Sequence, residues 1–302
     1  MRVRPLPALL SITLRLAVPI CLATANTLAA QATPPGKPQQ ARRTPSLARS
    51  ASPGAELVIV ATDKSFDAPA EVDAGLVNVR LFNRSSSMQH VSILKVDRLD
   101  RLASISDYLR SGDWNVAWIN RMGGPEAAPP GGVSSTSMIL EPGRYVVAQL
   151  PSAYKPGAQL ILSDVEELAV VRRAGANRAE LLPPTDVTLT MFEWNFTLEG
   201  PLNAGRRTIR VDNKGQFEHD VAIVRLLPGR SIDQAVKWAD NPMGPAPYEG
   251  AGGTSNLARG RSVNITVDLL PGDYVLLCTT YNPLSKQLHT RHGMIKQIRV
   301  TH

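Results

Sequence analysis

Apolar and polar residues alternate in several short stretches of this 302-residue chain, which is the pattern of half-buried β-strands. Two such stretches, 77–82 and 208–211, are each followed after a polar turn by an apolar segment that begins with a histidine. Further on, a Pro-Gly pair opens another apolar stretch in two places. Short helices are expected at 105–109 and 232–239. Many short strands with turn signals between them predict an all-β sandwich.

The same order of elements occurs twice, at an offset of 129 residues. The recurring residues are a histidine, a Gly-Gly pair, a Pro-Gly pair and a tyrosine. The matched positions are His90 and His219, Gly123-Gly124 and Gly252-Gly253, Pro142-Gly143 and Pro271-Gly272, and Tyr145 and Tyr274. Each copy is longer than the unit of a solenoid, so a duplicated domain is expected, with domains at 54–175 and 186–302. The Gly-Gly pairs are interpreted as turn glycines.

The first 53 residues differ in composition from the rest. Residues 1–30 begin with Arg2 and Arg4, continue as an apolar run and end in small residues at Ala30, which is typical of an export signal peptide. Arg15 interrupts the apolar run, so no stable membrane span is expected. Residues 31–53 are rich in Pro, Ala, Arg and Gln and are predicted to be a flexible linker. A periplasmic or secreted location follows from this interpretation.

The net charge of +7 does not describe the predicted domains. Seven of the 33 basic residues and none of the 26 acidic residues precede residue 51, so the remainder of the chain is neutral overall. A nucleic-acid-binding domain needs a basic face of its own. No nucleic-acid partner is therefore expected.

The chain has two cysteines, and removal of the signal would leave only Cys278. A single cysteine cannot form an internal disulfide, so its thiol is either buried and inert, a metal ligand, or paired with another chain. The candidate neighbours are His289, His292 and Met294 close after it and His219 far upstream. A thiolate, imidazoles and a thioether form the ligand set of soft copper sites.

The second copy has these residues in a recognisable order. His219 opens a strand, another strand runs into Cys278, and His289 and Met294 stand before the closing strand. This order resembles the cupredoxin family, the plastocyanin and azurin type of small blue copper protein. The resemblance implies two tandem cupredoxin-like Greek-key β-sandwiches with a short helix in each. It also implies one type 1 copper, bound in the second domain by His219, Cys278, His289 and Met294.

Two observations qualify the expected ligand set. Ten residues separate Cys278 from His289, whereas the family places its second histidine only a few residues beyond the cysteine. His292 is therefore an alternative to His289, although the spacing of His289 to Met294 matches the plastocyanin pattern. The first copy keeps His90 but lacks the other ligands, so its domain is expected to bind no copper. At the positions of Cys278, His289, His292 and Met294 it has Gln149, Leu160, Ser163 and Val165.

Three functions remain open at this point. The first is an exported electron-transfer protein with a redox partner protein. The second is a copper carrier or storage protein that exchanges copper with a donor or acceptor, and the third is a metal-free β-sandwich binding module. Two-domain copper oxidases and nitrite reductases need further histidines, often as His-x-His or beside the cysteine, and neither pattern occurs here. The sequence therefore predicts that the protein is not an enzyme.

Overall fold

The computed structural model describes residues 54–98, 100–101, 105, 117–150, 165–173, 181–282 and 284–302. These residues belong to one compact unit, Ala48–His302. The expected signal peptide and linker, 1–30 and 31–53, lie outside the described residues. Within the described ranges, no helix has the length and apolar character needed to cross a membrane.

The strands of the first copy belong to two sheets. They are β1 (Ala55–Ala61), β2 (Phe66–Asp67), β3 (Glu71–Asp73), β4 (Gly75–Asn83), β5 (His90–Val96), β6 (Ile119–Arg121), β7 (Val133–Leu140), β8 (Gly143–Leu150) and β9 (Val165–Val171). One sheet has the order β3-β9-β8-β5-β6, and β2, β1, β4 and β7 are neighbours in the other. β1 runs parallel to β4, whereas β4 and β7 are antiparallel.

The second copy repeats this arrangement. Its strands are β10 (Val187–Phe192), β11 (Asn195–Glu199), β12 (Gly205–Asn213), β13 (His219–Leu226), β14 (Tyr248–Leu257), β15 (Ser262–Leu269), β16 (Gly272–Leu277), β17 (Tyr281–Asn282), β18 (Gln287–Leu288) and β19 (Ile295–Val300). β10 runs parallel to β12 as β1 does to β4, and one sheet has the order β14-β13-β16-β19.

The two copies share one eight-stranded sheet. β7 of the first copy pairs with β15 of the second through Ser137↔Asn264, Thr136↔Ile265 and Ser135↔Thr266. The sheet order is β11-β10-β12-β15-β7-β4-β1-β2. Because this pairing continues the sheet from one copy into the other, the division into tandem domains at 54–175 and 186–302 stays a prediction. The predicted fold class, an all-β sandwich, is confirmed.

The core follows the alternation seen in the sequence. In β12, Ile209 and Val211 are buried while Thr208 is exposed, and in β4 Val79 and Leu81 are buried while Arg80 is exposed. Inward side chains of the eight-, five- and four-stranded sheets join one hydrophobic cluster that spans both copies. Burying such apolar surface stabilises the fold by roughly 25 cal/mol per Å².

A helix, α1 (Ile232–Asp240), covers the outer face of β13 and β16. Ser231 caps it through a capping box in which its hydroxyl accepts from the Gln234 backbone N–H and the Gln234 side chain accepts from the Ser231 N–H. Ala235 and Ala239 pack against the outward residues of β13, so this strand is buried on both faces. The helix expected at 105–109 lies outside the described residues except for Ile105.

The paired glycines do not form turns, contrary to the interpretation from sequence. They lie where extended segments of the two copies cross: the Gly123 N–H donates to the Asn256 carbonyl at 3.1 Å, and the Gly124 carbonyl accepts from the Ser255 N–H at 2.9 Å. A methyl group on Gly253 would lie 1.9 Å from the Val221 carbonyl oxygen. Gly124 and Gly253 are therefore required for the close approach of a neighbouring backbone, and all four glycines have φ angles in the left-handed region, from +88° to +154°.

Candidate metal centre

Four of the residues singled out in the sequence meet at one end of the β14-β13-β16-β19 sheet. His219 is the first residue of β13, and Cys278 directly follows β16. His289 begins a 3-10 helix (His289–His292), and Met294 directly precedes β19. All four are buried, with exposed fractions of 0%, 0%, 2% and 0% in chain order.

The side-chain donor atoms of three of these residues converge. The Nδ1 atoms of His219 and His289 are 3.1 Å apart, and the Cys278 Sγ atom lies 3.8 Å from the first and 3.3 Å from the second. All three side chains can offer ligand atoms within 4.8 Å of one another, and His292 is not part of this group. These three side chains can together hold a metal ion.

Met294 is tied to this group through the backbone. Its N–H donates to the His289 carbonyl at 3.1 Å, and its carbonyl accepts from the Cys278 N–H at 3.2 Å. Its side chain belongs to the main hydrophobic cluster together with Cys278. The fourth predicted ligand therefore lies beside the other three, on the apolar side of the site.

The described residues between Cys278 and His289 fold back on themselves. β17 and β18 form a small antiparallel hairpin with Tyr281 opposite Leu288. The His289 N–H then donates to the Thr280 carbonyl at 2.8 Å, and the Thr290 N–H donates to the Cys278 carbonyl at 3.1 Å. The hairpin takes up the extra length, so His289 returns to Cys278 despite the long spacing in sequence.

Burial controls the protonation of the site. It raises the pKa of the Cys278 thiol well above its usual value, and the nearby Asp220 carboxylate acts in the same direction. Burial lowers the pKa of His289 to about 4, helped by the neighbouring His219, and burial also lowers the pKa of His219. Both imidazoles are therefore neutral at neutral pH, which is the form that binds a metal.

Asp220 is a buried carboxylate that the sequence analysis missed. It accepts hydrogen bonds from the Thr279 hydroxyl at 2.6 Å and from the Thr280 N–H and hydroxyl at 3.0 Å each. These bonds fasten the two residues that follow Cys278 to the strand that begins with His219. The signal in the sequence was an acidic residue inside an otherwise apolar strand.

A second carboxylate, Asp240, fixes the 3-10 helix from the end of α1. Its Oδ2 atom lies 2.5 Å from the Nε atom of Arg291, and Thr290 donates to its Oδ1 atom at 3.5 Å. Arg291 stands between His289 and His292 in the chain. The helix on the outer face of the sheet is thus linked to the turn that carries a candidate ligand.

His292, the alternative to His289, has a different environment. Its ring stacks on Trp194 with centroids 4.4 Å apart, and its Nε2 atom lies 2.7 Å from the Ser285 hydroxyl. Trp194 also meets the His289 ring edge-on at 4.8 Å and stacks near the exposed Phe217 at 6.1 Å. His292 therefore belongs to an aromatic rim between the buried donors and the surface.

In the first copy, polar side chains replace the donor group. The His90 Nδ1 atom pairs with the Glu126 carboxylate, and Gln149, at the position of Cys278, donates to the Gln89 side chain at 2.6 Å. Val165, at the position of Met294, opens β9. Leu160 and Ser163 lie outside the described residues.

The second-copy site fits copper by the chemistry of its donors. One thiol and two neutral imidazoles face one another in a place shielded from water, and a buried methionine lies beside them. Two nitrogen donors and one sulfur donor match the set that copper accepts in both of its oxidation states. A bound cation would also favour the thiolate that burial alone opposes.

No family model and no curated protein matches this chain. Solved structures do match. Dithionite-reduced auracyanin from Roseiflexus castenholzii is 22% identical over 38% of this chain and 95% of its own, with a TM-score of 0.28. Copper nitrite reductase from Nitrosomonas europaea is 13% identical over 82% and 93%, with a TM-score of 0.23. Multi-copper oxidase from Pediococcus acidilactici is 14% identical over 81% and 58%, with a TM-score of 0.24.

The prediction that this protein is not an enzyme, which excluded enzymatic function because the chain has few histidines, is wrong. A nitrite reductase and a multi-copper oxidase, both named as enzymes, are among the matching structures, so an enzymatic role is not excluded by the few histidines of this chain. The identities are below 25% and the TM-scores below 0.5, so the assignment of a function has to come from the site itself. What the structure itself shows is an all-β sandwich with a buried His–Cys–His group.

Proposed function

We propose that this protein binds one type 1 copper ion through His219, Cys278 and His289, with Met294 as a weak fourth ligand, and transfers single electrons. The observation that carries the proposal is the buried convergence of two Nδ1 atoms and one Sγ atom within 4.8 Å. When bound, copper would supply a one-electron couple between Cu(II) and Cu(I). The chain supplies the shape, dryness and charge of the site.

The residues around the donors suit this role because they resist rearrangement. Asp220 holds the segment after Cys278, Asp240 holds the turn after His289, and the hairpin β17–β18 closes the loop between them. A site whose ligands keep their places in both oxidation states exchanges electrons with little reorganisation. Burial of all four proposed ligands also favours retention of the metal over ready exchange, which supports electron transfer over a copper-carrier role.

The aromatic rim gives the site a route to a partner. Trp194 packs against the buried His289 on one side and against the half-buried His292 and the exposed Phe217 on the other. We place the contact with a redox partner protein at this rim, since it is the side where aromatic rings connect the donors to the surface. Export to the periplasm or the outside of the cell remains our prediction from residues 1–30.

The proposal is tested by titrating the full mature chain with Cu(II) while recording the visible spectrum. We expect an intense thiolate-to-copper band that saturates at one copper per chain and disappears in Cys278→Ser. His289→Asn should also abolish the band, whereas the matched variant His292→Asn should keep it. The band should bleach with ascorbate and return with an oxidant.

Other outcomes would assign a different role. Absence of the band in the wild-type chain, with unchanged thermal stability, would refute copper binding and favour a metal-free binding module. A normal band that a copper chelator removes within seconds would refute electron transfer and favour a copper carrier or storage protein.

A further inference from the structure

The ring of His219 has a second nitrogen, Nε2, which faces away from the donor group. It is buried and has no hydrogen-bond partner among the described residues. The Oε1 atom of Glu193 lies 3.7 Å from it, which is within ion-pair range and just beyond hydrogen-bond range. Glu193 stands in the turn between β10 and β11, outside the sheet that carries the donors.

Glu193 is held in place by the backbone that leads into β13. Its Oε1 atom accepts from the Gln216 N–H and, at 3.1 Å, from the Phe217 N–H. These two residues stand just before His219 in the chain. The carboxylate is therefore fixed beside the strand that positions the histidine and does not depend on a flexible side chain to reach it.

Gly215 provides the space for this contact. A methyl group there would lie 2.6 Å from the Glu193 Oε1 atom and 2.7 Å from the His219 Nε2 atom. The φ angle of Gly215 is not in the left-handed region that favours glycine. The absence of a side chain is thus needed for the approach of Glu193 to His219 and not for the local backbone conformation.

The first copy offers an internal comparison. Asp63, which matches Glu193 at an offset of 130, accepts from the Ser86 N–H and hydroxyl at 2.8 Å each. The equivalent histidine, His90, pairs instead with Glu126. An aspartate is therefore sufficient to fix this loop. The longer Glu193 side chain, with Gly215 beside it, occurs in the copy that has the donor group.

We propose that Glu193 is a positioning residue for the metal centre: its carboxylate accepts a hydrogen bond from the Nε2–H group of His219. This bond fixes the tautomer in which the Nδ1 lone pair faces Cys278. Closing the contact to hydrogen-bond length requires a movement of roughly 0.5–1 Å. Metal-binding histidines commonly donate their other N–H to a carboxylate or carbonyl, which sets ring orientation and raises ligand basicity.

The inference rests on the proposed function for its redox consequence. A carboxylate near the site favours the more highly charged oxidised form, so it should lower the reduction potential. The tautomer of His219, in contrast, can be measured without copper, so its outcome is independent of whether the chain proves to be an electron-transfer protein.

The experiment compares the full chain with Glu193→Asp, Glu193→Gln and, as a loop control in the first copy, Asp63→Asn. Histidine ¹⁵N–¹H correlation spectra of the metal-free and Zn(II)-loaded proteins report the tautomer. Copper affinity is measured by chelator competition and the potential by voltammetry.

We expect His219 to be the Nε2–H tautomer in the wild type. Glu193→Asp should keep the loop contacts but withdraw from the ring, with mixed tautomers and a roughly 10–100-fold loss of metal affinity. Glu193→Gln should keep the tautomer through its amide oxygen and raise the potential. Asp63→Asn should change none of the three readings, namely the tautomer, the metal affinity and the reduction potential.

Two results would overturn the proposal. One is an Nδ1–H tautomer of His219 in the wild-type chain. The other is a Glu193→Asp protein with unchanged tautomer and affinity, which would reduce Glu193 to a loop cap like Asp63. If copper produces no thiolate band at all, the proposed function fails, and the tautomer spectra alone then decide the role of Glu193.

Discussion

The metal-free protein should lose stability on acidification because of the buried His289. The pKa of this residue is lowered from 6.5 to about 4, first by burial and then by the neighbouring His219. Below pH 6.5 the unfolded chain binds a proton at this position, whereas the folded chain stays neutral until about pH 4. The contribution of neutral His289 to the free energy of unfolding is therefore complete above its unfolded pKa of 6.5 and is lost as the pH falls towards the folded pKa of about 4.

The size of the loss follows from linkage. Each pH unit between the two pKa values lowers the free energy of unfolding by about 1.4 kcal/mol for one group. Between about pH 7 and about pH 5 the contribution of His289 is thus at most about 2 kcal/mol, an upper value because water at the rim of the site screens the charge.

The assay is urea unfolding of the metal-free chain at both pH values, beside His289→Asn. The wild type should lose more free energy of unfolding over this interval than the variant, by about 1–2 kcal/mol. Residual pH dependence in the variant is expected from His219, whose pKa is also lowered by burial. Equal losses in the two proteins would refute the reasoning, since His289 would then titrate alike in the folded and unfolded chains.

Three further predictions concern the surroundings of the site. Asp220→Ala should lower the free energy of unfolding by at least about 2 kcal/mol, because the donors that now bond its carboxylate lose their acceptor; Asp220→Asn should recover much of this in the same urea titration, and equal losses would contradict it. Gly253→Ala should lower the free energy of unfolding by at least about 3 kcal/mol, because the new methyl group would clash with the Val221 carbonyl oxygen. Gly229→Ala, where the methyl group would meet open space, should lower it by only about 1 kcal/mol. Similar melting temperatures for the two variants would show that the close approach at Gly253 is unimportant. Asp240→Asn should change stability by less than about 1 kcal/mol, since its partner Arg291 is half exposed, but should speed copper loss to a chelator; an unchanged loss rate would show that α1 does not hold the ligand turn.

The sequence by itself determined the class of fold and the nature of the donors. A strand places alternate residues on opposite faces, so the patterns at 77–82 and 208–211 already show which side chains are buried. The order of His219, Cys278, His289 and Met294 in the second copy likewise identified a cluster that the structure brings together. These properties are local, or depend only on the order of strands.

Only the tertiary structure showed that His289, and not His292, lies with the buried donor group, and revealed the residues that surround it. The position of His289 beside Cys278 depends on the hairpin between these two residues, whose folding cannot be inferred from the number of intervening residues. Asp220, Asp240 and Glu193 reach the site from a strand, a helix and a turn that are far apart in sequence. The paired glycines have the same explanation, because the close approach of Gly253 to the Val221 carbonyl of the neighbouring strand leaves no trace in the periodicity of the sequence. Contacts of this kind depend on how sheets and loops pack. The alternation of apolar and polar residues predicts which side chains are buried but not which distant atoms come into contact.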